Sequence, residues 1–158
     1  MAKILHIIDR LSGAGPTRSL IALAKYESRL ELAHEHRAAA LERDAYPHAL
    51  ILAKRAGIGL LRGPDPESLR REIAAADIVL VHFWNNPVFY EFLHSEWPAM
   101  RLLLWFKILG DKPPQVITPD LVEYADFCVG TSRQTLQLPA LTAAVRREWA
   151  DTVPGIAD

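Results

Sequence analysis

One cysteine, Cys128, is all the thiol chemistry this 158-residue chain carries. A lone thiol closes no disulfide within the chain and builds no zinc site without partners. In the apolar run Phe127-Cys128-Val129 it reads as a buried small hydrophobe. A surplus of positive charge is also missing. Acids and bases are mixed along the chain and sum to a net charge of −1, whereas a nucleic-acid binder carries a basic excess to neutralise phosphates; no nucleic-acid partner is expected. Long apolar runs are absent too. The most apolar stretch, Leu102 to Leu109, is broken by Lys107 and falls short of the ~20 residues that span a bilayer. The run Ile4 to Ile8, between Lys3 and Asp9, is too short for a signal-peptide core. These absences predict a cytoplasmic protein with no transmembrane segment, and leave open peripheral attachment to the inner face of the membrane. No Gly-x-Ser-x-Gly elbow, His-Glu-x-x-His pair or carboxylate cluster occurs, so hydrolase and metalloenzyme readings have no anchor.

What is present is globular. Half the residues are apolar and 23% are charged, and the length suits one domain of roughly 150 residues. Short apolar runs alternate with helical patterns. Strands are expected at Ile4–Ile8, Arg37–Leu41, Ile58–Leu61, Asp77–His82, Arg101–Trp105 and Phe127–Thr131. Apolar runs without polar alternation fit parallel strands covered on both faces. Gly15-Pro16, Asp65-Pro66, Asn86-Pro87 and Thr118-Pro119 each set a capping-competent residue before proline, a helix start signal. Leu69, Ile73 and Ala76 behind Asp65, and Phe89, Phe92 and Leu93 behind Asn86, form apolar stripes. Gly57 marks a helix stop. A late helical pattern through Leu141, Ala144 and Val145 precedes a last short strand near Thr152 and a linker.

Strand–helix alternation implies right-handed crossovers and a Rossmann-like open parallel β-sheet flanked by helices. Strand C-termini and helix N-termini then share the ligand-binding edge, so residues 13–18, 82–86 and 107–118 should face one crevice. Gly13-Ala14-Gly15-Pro16-Thr17-Arg18 suits phosphate, since glycines allow close backbone approach and Arg18 adds a charged fork; it also reads as an ordinary capped turn. It is neither a dinucleotide fingerprint nor a P-loop, because residues 9–12 intervene after the strand and no Gly-Lys-Ser/Thr follows. His82 either meets a sugar hydroxyl or shuttles a proton, or is satisfied by a loop carbonyl. Trp84 and Asn85 follow it in the loop, with Trp84 an aromatic face suited to a sugar ring. Lys107 could reach an anion. His6, His34, His36, His48 and His94 show no ligand spacing and read as structural or solvated.

Five features taken in order resemble the N-terminal domain of group 1, retaining GT-B glycosyltransferases. They are Asp9-Arg10-Leu11 ending the first strand, the glycine loop through Leu20, the Asp77–His82 strand, Phe127-Cys128-Val129-Gly130-Thr131-Ser132, and the closing Val153-Pro154-Gly155-Ile156-Ala157-Asp158. The resemblance covers essentially the whole chain. It implies an acceptor-side domain over residues 1–150, an interdomain linker from 151 to 158, and an absent donor-binding C-terminal domain with its Glu-x₇-Glu signature. The implied enzyme is hexosyltransferase-type, moving a sugar from a nucleotide-sugar donor to a glycan, lipid-linked or small-molecule acceptor. It uses no metal or other cofactor. His82 matches a family histidine that contacts the transferred sugar and is implicated in transfer, which makes it the expected catalytic residue. Gly13, Gly15, Thr17 and Arg18 fall at the donor phosphates, with Trp84, Asn85 and Lys107 beside them as further substrate contacts. Ala14 between the glycines departs from the family's adjacent pair. A chain without the second domain is expected to be inactive alone. The alternative is a non-catalytic Rossmann-like nucleotide-binding or interaction domain.

Overall fold

The computed structural model describes residues 1–30 and 34–152. In chain order the elements are β1 (Lys3–Ile8), α1 (Gly15–Glu27), β2 (Glu35–Ala40), α2 (Pro47–Arg55), β3 (Gly59–Arg62), α3 (Pro66–Ala75), β4 (Ile78–Phe83) and α4 (Pro87–His94). There follow β5 (Leu102–Phe106), a small hairpin of β6 (Asp111–Lys112) and β7 (Gln115–Val116), α5 (Pro119–Tyr124), β8 (Phe127–Gly130), α6 (Arg133–Leu136), α7 (Pro139–Arg146) and β9 (Ala150–Thr152). Seven strands form one parallel sheet in the order β3-β2-β1-β4-β5-β8-β9. This is the Rossmann-like α/β architecture that the strand–helix alternation predicts. The direction of winding reverses between β1 and β4, which places the topological switch point at their C-terminal ends.

The strands are apolar without alternation because both faces are covered. In β1, Leu5 and Ile7 enter the larger core, while Ile8 joins a second core against α1 and α2. The larger core runs through α3, α4, α5 and α7 and includes the fully buried Phe83, Phe89 and Phe106. Burying rings of this size contributes about 1.5–3 kcal/mol each. In β2 the buried apolar residues are Ala38, Ala39 and Ala40, with His36 buried beside them.

Caps and stops fall close to where the sequence puts them. Asp65 accepts from the Ser68 amide at 2.9 Å and Asn86 from the Val88 amide at 3.1 Å. Gly57, at φ +76°, ends α2. The α1 start differs by one residue: Ala14 is the N-cap and Gly15 the first helical residue, with no side chain capping the helix. Thr118 likewise occupies its N-cap without a side-chain bond. The sixth strand ends at Gly130, and β4 runs one residue past His82 to Phe83. The hairpin and α6 are elements the sequence pattern does not reveal, and of α2 only the stop at Gly57 is expected. The last strand comes slightly earlier than expected, at Ala150–Thr152. Of the linker expected over residues 151–158, Asp151 and Thr152 belong to β9, and 153–158 lie outside the described residues.

Candidate active-site crevice

A crevice of about 710 Å³ opens at the C-terminal edge of the sheet, over the switch point. Its walls come from the loops after β1, β4 and β5: Asp9, Arg10 and Ser12 to Ala14; Trp84; Lys107 and Ile108. Tyr46 and Gln115 close two sides. A second cavity of about 670 Å³ lies between α1 and α2, where Arg18, Lys25, His48 and Arg55 surround an apolar floor of Ile21, Ala49 and Leu52. Ser12, Gly13 and Tyr46 line both, so the two spaces adjoin.

The loop after β1 is held from inside. Thr17 is buried, and its Oγ1 accepts from the Ser12 amide at 3.0 Å while donating to the Arg10 carbonyl at 3.3 Å. Its hydroxyl is therefore occupied in shaping the loop rather than turned toward a ligand. Gly13 and Gly15 answer to no such packing demand. A Cβ placed on either would meet nothing within 4 Å. The space above them is open, and α1 begins there with an uncapped N-terminus and no acid in its first turn. Such an end presents free N–H groups and a partial positive charge to an anion.

Asn85 is engaged in the fold. Its backbone amide donates to Gln115 Oε1 at 2.9 Å, and its Nδ2 donates to the carbonyls of Pro114 and Val116. Tyr90 donates to its Oδ1 at 3.4 Å. The side chain thus latches the loop after β4 onto the β6–β7 hairpin. Trp84, beside it, is half-buried against the large core and still forms part of the crevice wall.

Lys107 is the cation set deepest in the crevice wall. Its Nζ is buried without a hydrogen-bond partner and lies over the Trp105 ring. Burial pushes its ammonium down to about 6. Arg10, the other cation in this crevice wall, is paired with Asp9 at 3.9 Å and Glu42 at 3.8 Å.

His82 does not line the crevice. It is fully buried, and its Nε2 lies 3.0 Å from His6 Nδ1. His6 Nε2 is in turn 2.9 Å from His36 Nδ1, and His36 Nε2 is 2.9 Å from Glu27 Oε2, which His34 Nδ1 also meets at 2.9 Å. The satisfying group for His82 is therefore another imidazole, not the loop carbonyl considered above. Four histidines and a glutamate form one hydrogen-bonded row across β4, β1 and β2 to the end of α1, buried at His82, His6 and His36 and half-buried at His34 and Glu27, so histidines without ligand spacing in the sequence are joined in space. The missed signal was the parallel register. His6 pairs with Leu80 on one side and Ala38 on the other, and alternation puts His36, His6, His82 and Trp105 on the same face of adjacent strands. Among the described residues no group of three or more such side chains converges as a metal site. Burial first, then the charges of His36 and Lys107, lowers His6 to about 3. Burial, then His6 and Lys107, likewise drives His82 well below its usual value. His82 Nδ1 is buried with no partner.

No family model matches this chain, and no curated protein does. Among solved structures it is similar to the hypothetical protein SMU.573 of Streptococcus mutans, with a TM-score of 0.55 and 14% identity over 97% of this chain. That likeness shows the fold alone. The chain spans 59% of the length of that structure. Weaker alignments reach the apo-form glycosyltransferase GlyE of Streptococcus pneumoniae TIGR4, at TM-score 0.48, 14% identity, 94% of this chain and 33% of that one. Another reaches the GT-B domain of a sialyltransferase from Photobacterium damselae, at 0.42, 11%, 96% and 53%. Neither is close enough to carry a conclusion about this chain. No helix among the described residues is long and apolar enough to cross a membrane.

Proposed function

We propose that the chain is the acceptor-side domain of a retaining, group 1 GT-B glycosyltransferase, and that the crevice over its switch point receives the diphosphate of a nucleotide-sugar donor. The observation that carries this reading is Lys107, a buried amine without a hydrogen-bond partner in the wall of a crevice that also exposes the open glycine loop and the uncapped start of α1. An anion placed there gains both the backbone N–H groups and a charged hydrogen bond. Its charge also favours the protonated lysine, offsetting the burial that depresses it. Trp84 supplies an aromatic wall for the sugar ring. The adjoining cavity between α1 and α2, with its basic rim and apolar floor, is the place for an acceptor that is anionic and partly apolar. In this reading Gly13, Gly15, Trp84 and Lys107 meet the donor, and Arg18 faces the acceptor. Thr17 and Asn85 hold the loops, and His82 acts from behind Lys107. No metal or other cofactor is needed if Lys107 and the helix start carry the phosphate charge. A second domain supplies the base and ribose contacts, so the isolated chain binds donor weakly and transfers nothing.

Titrating ¹⁵N-labelled chain with inorganic pyrophosphate and with a nucleoside diphosphate tests the site. Shifts centred on Gly13, Gly15, Trp84 and Lys107, and lost in Lys107→Met, are expected. Shifts elsewhere, or none, would sink the proposal. Sugar transfer itself is tested in the protein that carries this chain together with a donor-binding domain, where Lys107→Met should lower the rate of transfer from nucleotide sugars.

A further inference from the structure

The histidine row has a polarity, and its two ends differ. At the α1 end stands Glu27, whose side chain is 19% exposed. Burial acts to raise this carboxyl, but the hydrogen bonds from His34 and His36 outweigh it and lower it, so the group is an anion that only accepts. Its oxygen must take the Nε2–H of His36. With one proton on each ring, His36 Nδ1 is then a lone pair that accepts from His6 Nε2–H, and His6 Nδ1 accepts from His82 Nε2–H. Every link is satisfied in only one direction. What remains at the sheet's C-terminal end is His82 Nδ1, buried and without a partner. Lys107 Nζ, also without a hydrogen-bond partner, lies over the Trp105 ring, whose centroid is 5.3 Å from that of His82. An acceptor without a donor and a donor without an acceptor therefore sit at the same end of the row.

We propose that Glu27 is a positioning residue for the crevice: through His36 and His6 it fixes His82 with its proton on Nε2 and its lone pair on Nδ1, where it holds the Lys107 ammonium when an anion is bound. This rests, for its last step, on the anion-binding reading of Lys107. A carboxylate at the far end is what makes the lone pair appear at the near end. Were the polarity reversed, His82 would present Nδ1–H to an ammonium and repel it. The groups that set the charge state along the row are Glu27, His34, His36, His6, His82 and Lys107, and no others enter the hydrogen-bonded path among the described residues.

Long-range ¹H–¹⁵N spectra of the histidine rings, on the 158-residue chain at neutral pH, read the tautomers directly. The expected result is Nε2–H for His82, His6 and His36. An Nδ1–H signal for His82, or an imidazolium at His36 driving the row the other way, overturns the proposal from the wild-type spectrum alone. In Glu27→Gln the amide can donate to His36, so the His82 signal should move toward the Nδ1–H form. Pyrophosphate affinity should fall about tenfold, the worth of one charge-assisted hydrogen bond. The pH above which wild-type binding is lost should also move downward in the variant. Unchanged tautomers and an unchanged pH profile in Glu27→Gln overturn the positioning role. If wild-type chain binds no pyrophosphate, the anion-binding reading of Lys107 fails and takes the last step of this proposal with it, whereas a wrong tautomer overturns the row alone.

Discussion

His6 and His82 are held neutral by burial, and this has a consequence for stability. Their folded-state affinities for protons lie below the unfolded value of about 6.5. As pH falls through that value the unfolded chain binds protons that the folded chain refuses, so stability drops. Each ring contributes up to about 1.4 kcal/mol per pH unit below pH 6.5, and for His6 the loss continues toward about pH 3. Glu27 adds to the same trend at its lower range, since its folded carboxyl is lowered and its stabilisation is lost as it protonates. Urea unfolding at a series of pH values from 7 to 5 should therefore show a steep acid loss. His6→Gln should make the dependence shallower, and an identical slope in the two proteins would contradict the buried, neutral ring. Lys107 has the opposite character to a structural residue. A buried amine with no hydrogen-bond partner destabilises the fold. Lys107→Met should raise the thermal midpoint, by an amount equivalent to about 1–3 kcal/mol, while abolishing pyrophosphate binding. A residue that is costly to fold and required for a ligand is a functional residue by that pair of measurements.

Among the elements, those announced by local chemistry were the ones readable from sequence. Prolines behind Asp65 and Asn86 and the glycine at 57 act within a few residues of themselves, and the structure places caps and a stop there. The same holds for the apolar strands. The hairpin after β5 is different. Gly110, at φ +88°, turns the chain into it, and Asn85 holds it from 30 residues away. Nothing local marks Asn85 as a latch rather than a ligand contact. Gly110 shows how tight this corner is: a Cβ there would overlap Ile117, besides the strain of a positive φ. Gly110→Ala should cost the chain on the order of 1–3 kcal/mol and loosen the loop after β4, read as faster amide exchange at Asn85. Asn86→Ala, which removes only the cap of α4, should cost about 1 kcal/mol and leave exchange in the hairpin unchanged.

On the scale of the whole molecule, the switch point between β1 and β4 decides where a ligand can sit, and that much followed from counting strands and helices. The histidine row did not, because it depends on three strands aligning in one register, which no single-strand pattern contains. What the crevice lacks also has a consequence. Its walls offer one lysine without a hydrogen-bond partner, open backbone at Gly13 and the rings of Trp84 and Tyr46, while Asp9 is paired with Arg10, Ser12 accepts from the Ala14 amide and Gln115 holds Asn85, a set that recognises a diphosphate and a ring but leaves few side chains to read a particular base. Inorganic pyrophosphate and nucleoside diphosphates of different bases should therefore bind the chain with dissociation constants within about threefold of one another. All should weaken together as salt is raised, because charge on Lys107 dominates the contact. Gly13→Ala should leave the unfolding midpoint unchanged, since its Cβ enters open space, yet weaken all of these anions alike by narrowing the approach to the start of α1. Calorimetric titration across the nucleotide set reads both effects. A preference of tenfold or more for one base would show that this domain, and not a partner domain, reads the nucleotide, and the division of labour proposed for the two halves would have to be redrawn.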